Sequence, residues 1–192
     1  MSPNTPARQP LQQRVTAAIL DGAAYVFALQ GDQANMNDVA AAAGVARATV
    51  YRYFPNRETL LDELAQSAVR DVEERLTSAR IDAVPAEEGI PRAIRALLDA
   101  GDPFVVLVRR HPTSDLERFE RAVLRPLREL FERGQADGDV RADIPSARLT
   151  ESLLGLVVGV FTSPRSLGRE DMTAMITGLF LDGARARGPR PA

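Results

Sequence analysis

Residues 35–54 read "NMNDVAAAAGVARATVYRYF", and this stretch decides the fold. Met36, Val39, Ala40 and Ala43 recur at helical spacing, and Asn35 is a good cap for the start of that helix. Gly44 ends it, and a second short helix runs from about Ala46 to Phe54. Pro55 then disfavours helical geometry at Phe54. Three positions tie the pair together. Ala40 is small enough for a close helix crossing, Gly44 supplies the positive φ of a tight turn, and Val50 packs the second helix back onto the first. Each match alone is common. Their joint spacing describes a helix-turn-helix.

On the second helix Val50 and Phe54 fall on one stripe, suited to a core. Ala46, Arg47, Ala48, Thr49, Tyr51, Arg52 and Tyr53 are left toward solvent or the flanks. Aromatics make up only 5% of the chain, yet two of its three tyrosines stand here beside two arginines. Arginine reaches phosphates or guanine edges, threonine offers a hydroxyl and a methyl, and the small alanines permit close approach to a groove wall.

Working outward, the apolar spacing from Leu11 to Leu29 predicts a helix, with Gly31 able to stop it. Asn56 can cap a further helix that repeats Leu60, Leu61, Leu64, Ala68, Val69, Val72 and Leu76 to about Arg80. "VPAEEGIP" (84–91) reads as a loop, and helical segments follow at roughly 90–100, 102–111, 114–135, 145–162 and 169–184. No strand alternation occurs, so the expected fold class is all-α. Pro126 lies inside an amphipathic helix carrying Leu116, Phe119, Val123, Leu127 and Leu130. Its missing N–H and its clash with the Ala122 carbonyl predict a kink, which either lines a cavity or bends the helix round the core. The run "LLGLVVGVF" (153–161) is apolar nearly all round, so its helix is either central or covered by a partner. Gly155 and Gly159 would let another helix approach closely there.

Composition narrows the chemistry. The 192 residues contain no cysteine, no lysine and one histidine, His111. Disulfides, thiolate zinc sites, a P-loop lysine and Schiff-base chemistry are therefore excluded. No metal site and no cofactor are expected, and the chain is not read as an enzyme. The net charge of −2 is unevenly spread, with +2 over residues 1–57 and −4 beyond, a mild bias toward an anion-binding front. The first ten residues are polar and proline-rich, unlike a signal peptide, and the longest apolar run is about half of what a bilayer crossing needs. A cytoplasmic protein without a membrane partner is the expectation.

The segment "MNDVAAAAGVARATVYRYFPNRETLLDELAQSA" resembles the DNA-binding signature of the tetracycline-repressor (TetR) family, with a similarity that covers about Arg14 to Ala68. Asn35, Ala46, Ala48 and Arg57 stand where threonine, serine, glycine and lysine are commoner in that family. The resemblance implies an N-terminal three-helix DNA-binding domain at 10–56 and a larger helical effector-binding and dimerisation domain at 57–184. Residues 1–9 and 185–192 are expected to be disordered. Arg47, Ala48, Thr49, Tyr51 and Arg52 map to groove-facing positions, and Tyr53 and Arg57 to phosphate-contacting ones. The implied partners are a palindromic double-stranded DNA operator, an unidentified small-molecule effector and a second copy of the chain, whose last two long helices would pair with these. The implied function is a ligand-responsive regulator, a repressor released by its effector. An activator or accessory protein of the same fold, and an all-α enzyme, are the rival readings. Phe104, His111, Phe119 and Phe161 are the candidates for effector-pocket lining, although a histidine placed like His111, at a helix end, is more often a cap than a ligand.

Overall fold

A computed structural model describes residues 8–110, 116–162 and 168–186. Helix α1 (Arg8–Gln30) is followed by a 3-10 turn (Gly31–Gln33), α2 (Met36–Ala42), α3 (Arg47–Tyr53) and α4 (Arg57–Ser78). Then come α5 (Ala86–Ala100), α6 (Asp102–Arg110), α7 (Leu116–Phe119), a π turn (Glu120–Leu124), α8 (Arg125–Asp137), α9 (Ser146–Thr162) and α10 (Arg169–Ala184). Among the described residues there is no strand, only an isolated bridge between Val140 and Arg185.

The local punctuation works as its chemistry dictates. The Asn35 side chain accepts from the N–H groups of Asn37 (2.9 Å) and Asp38 (3.3 Å), while the Asp38 carboxylate accepts from the Asn35 N–H at 3.2 Å. This reciprocal box satisfies amides that the first turn of α2 leaves open. Gly44 turns the chain at φ +65°, and Asn56 caps α4 by accepting from the Thr59 N–H at 2.8 Å.

Two expectations are corrected. The stretch 84–91 is not a loop throughout, because α5 begins at Ala86 and contains Pro91. Ala86, Gly89 and Ile90 are buried, and a Cβ on Gly89 would stand 2.6 Å from Leu130 Cδ1. Tertiary packing thus outweighs the one backbone hydrogen bond that a proline forfeits near a helix start. At the other end, Arg185 and Ala186 fall in the segment expected to be disordered, yet they are tied to the chain. Ala186 N–H donates to the Asp139 carbonyl at 3.0 Å, and Arg141 N–H donates to that of Ala184 at 2.8 Å.

The kink foreseen at Pro126 takes the form of the π turn immediately before it, so the wider ladder absorbs the missing donor. Helix α1 packs against α2 on one side and against α4 and α6 on the other, joining the helix-turn-helix to the rest of the chain. The larger helical part is centred on fully buried Leu97, Leu98, Phe104, Leu107, Leu127 and Phe131. Gly134 lies at its tightest crossing, where an added Cβ would meet Ala86 Cβ at 2.5 Å.

Candidate nucleic-acid interface

Helix α3 is held by Val50, which is wholly buried, and by Phe54 just past its end, at 5% exposure. On the first helix Val39 and Ala40 meet that stripe from within the same core, and the Val45 N–H donates to the Ala40 carbonyl at 3.0 Å. Close packing continues into α1. A Cβ on Gly22 would lie 2.8 Å from the Ala43 backbone nitrogen, so α1 and α2 touch there backbone to backbone.

Fixing that stripe inward turns the rest of α3 outward. Arg47, Ala48, Tyr51 and Arg52 are exposed, while Thr49 and Tyr53 are half-buried at the flanks. The Arg47 guanidinium carbon lies 5.3 Å from the Tyr51 ring centroid, and that of Arg52 lies 5.4 Å from the Tyr53 ring. Each tyrosine face thereby restrains a long cationic side chain while leaving its edge donors open to an acceptor. The chemistry of this face is cationic, donor-rich and flanked by small alanines.

Arg57 stands apart from that row. Its guanidinium lies over the Phe27 ring of α1 at 4.8 Å, and its Nη2 is 3.6 Å from the Asp32 carboxylate. Arg109 of α6 donates to the Ala28 carbonyl of α1 at 3.0 Å, from 81 residues away in sequence. Neither the stacking of Arg57 nor the anchoring by Arg109 was legible beforehand, since both depend on how α1, α4 and α6 meet.

The effector-pocket candidates divide differently. Phe104, Phe119 and Phe161 are buried core residues, and they do not line the grooves described below or the cleft beside Arg57. His111 lies outside the described residues. An open groove of about 880 Å³ runs between α4 and α5, past Arg75, Pro91, Arg92, Arg95 and Asp99. A second cleft, of about 530 Å³, lies between α4 and the π turn, with Leu76, Arg80, Arg121, Ala122 and Pro126 on its walls. Among the described residues no three acidic or histidine side chains cluster to hold a metal, and no helix is long and apolar enough to cross a membrane.

An α3 anchored in this way, presenting arginine and tyrosine to solvent, defines a helix-turn-helix protein of the kind that offers a recognition helix to duplex DNA. Residues 19–64 match the family model described as bacterial regulatory proteins, tetR family. The chain is 38% identical over 107 residues to the HTH-type transcriptional repressor LfrR of Mycolicibacterium smegmatis, a match that spans 53% of either protein and so about half of that relative's length. The crystal structure of LfrR in complex with proflavine superposes with a TM-score of 0.70 at 26% identity, covering 90% of this chain and 97% of that one. AibR, solved with isovaleryl coenzyme A and operator DNA, shares the fold with a TM-score of 0.67 at 20% identity, over 86% of this chain and 97% of that one. Over residues 19–64 the chain is thus similar to the tetR family of bacterial regulatory proteins, and over most of its length it shares the fold of LfrR.

Proposed function

We propose that the chain is a sequence-specific transcriptional regulator, a repressor that leaves a near-palindromic operator when a small molecule binds its larger helical part. The observation that carries this reading is the division of α3 into a buried stripe, Val50 with Phe54, and an exposed face of arginine, alanine and tyrosine. Residues 10–56 serve as the DNA-binding unit and 57–184 as the effector-binding and dimerising unit. Arg47, Ala48, Thr49, Tyr51 and Arg52 face the major groove, and Tyr53 meets phosphate. Arg57, stacked on the ring of Phe27, is a further phosphate contact.

A single short recognition helix contacts too few base pairs for useful selectivity. Two of them, about 34–36 Å apart, read symmetric half-sites. The surface that supports pairing is the outer side of α9 and α10, where Leu156, Met175 and Leu179 are exposed beside Gly155 and Gly159. The ligands held by LfrR and AibR, proflavine and isovaleryl coenzyme A, support effector control without naming the effector here.

The test is fluorescence anisotropy of the full chain with duplexes from its own upstream DNA. Arg47→Ala is expected to cost about 1–3 kcal/mol of operator affinity and to relax base preference at one position. Unchanged affinity and preference in a folded variant would refute the assignment of α3.

A further inference from the structure

The junction between the helix-turn-helix and the rest of the chain holds a partly open cavity of about 140 Å³, lined by Phe27, Asp32, Arg57, Leu61, Val106 and Arg109, with Asp32 and Arg109 at its exposed rim. The geometry points to a binding site for a small oxyanion, a carboxylate or phosphate group, held between the guanidinium groups of Arg57 and Arg109. Four observations converge on it.

The first is charge: two cations face the cavity against one carboxylate, that of Asp32. That carboxylate is a loose partner, since it is fully exposed and 3.6 Å from Arg57, beyond good hydrogen-bond length. The second is an unmet donor. Arg57 Nε is buried and has no hydrogen-bond partner, and a buried polar group in that state costs roughly 1–3 kcal/mol. The third is orientation. Stacking on Phe27 engages the flat face of the Arg57 guanidinium and leaves its edge donors for an in-plane acceptor, the geometry a carboxylate or phosphate meets with two oxygens. The fourth is room and rigidity. The volume is several times the ~30 Å³ that one water occupies in the liquid, and Leu61 and Val106 give it an apolar floor. Arg109 is already fixed at one end by its bond to the Ala28 carbonyl, so ordering it around an anion costs little further entropy.

An occupied site would bridge α1, the first residue of α4 and α6 through a single ligand. It would also hold Arg57 inward, away from any phosphate it could otherwise meet. The consequence for operator affinity rests on the function proposed above; binding of the anion itself does not.

The experiment uses the DNA-free, full-length, ¹⁵N-labelled protein and follows arginine Nε–Hε correlations. Inorganic phosphate and acetate are titrated separately at constant ionic strength against chloride. The Arg57 signal, identified by its loss in Arg57→Gln, is expected to shift saturably in the millimolar range with at least one of the two probes. Saturation by phosphate alone assigns a phosphate group, and saturation by acetate alone assigns a carboxylate. Arg109→Gln is expected to weaken the saturation at least tenfold. Asp32→Asn, which removes the competing carboxylate, is expected to tighten it. A non-saturating drift shared by all arginines overturns the site, as does a saturable shift indifferent to both Arg109→Gln and Asp32→Asn. Operator binding without any anion response removes the site and leaves the regulator; an anion response without operator binding does the reverse.

Discussion

Gly134 of α8 and Gly155 of α9 are the same residue in two helices of one core, and they answer opposite needs. At Gly134 a Cβ would meet Ala86 Cβ at 2.5 Å and Val140 Cγ2 at 2.6 Å, so α5 and the turn after α8 close onto it. At Gly155 a Cβ would meet nothing within 4 Å, and the same holds for Gly159, Gly178 and Gly183 on α9 and α10. One region is finished within a single chain. The other presents Gly155 next to exposed Leu156, Met175 and Leu179, an apolar face open to solvent among the described residues. Mid-helix glycine costs roughly 0.5–1 kcal/mol relative to alanine, so each position calls for a reason. At Gly134 the reason is visible contact, and at Gly155 it would be the pairing with a second copy of the chain proposed above.

The comparison can be broken most sharply at its tight end. Gly134→Ala is expected to lower unfolding stability by about 2 kcal/mol in urea titrations, because overpacking a closed crossing outweighs the gain in helix propensity. A neutral result would mean that α5 and α8 give way easily and that the crossing is not closed. Next in size is Leu179→Glu. Its side chain is 62% exposed, so protomer stability should hold within ~0.5 kcal/mol, while association weakens about tenfold or more in sedimentation equilibrium. Undiminished association would move the paired surface elsewhere. The smallest effect has the opposite sign. Gly155→Ala, made in the Leu179→Glu background to remove association, should raise unfolding stability by about 0.5 kcal/mol as the helix gains a better former. A loss there would show that α9 is crowded within its own protomer.

How far the chain could be read in advance varied with the range of the interaction. The caps at Asn35 and Asn56, the turn at Gly44 and the inward stripe of Val50 and Phe54 all involve residues a few positions apart, and all were legible. The start of α5 was not, because Pro91 and two acidic residues look like loop chemistry until Ala86 and Gly89 are seen against α8 and the turn after it. Buried aromatics are harder to place for a related reason. Phe104, Phe119 and Phe161 suit a pocket wall by type, but type does not separate a wall from a filled core, and all three are buried. Arg57 shows both sides in one residue. Its place at the head of α4 was plain from Asn56 and Pro55, whereas its stacking on Phe27 depends on how α1 and α4 cross.

The sequence by itself determined an all-α chain, a helix-turn-helix at residues 35–54 and the residue types that α3 shows to solvent. Those follow from periodicity, capping and turn geometry, which act over one or two helical turns. Only the tertiary structure decided where α5 begins, that the proline kink is a π turn, and that Arg57 and Arg109 share a cavity. Those outcomes depend on which distant surfaces meet, and no local propensity encodes that choice.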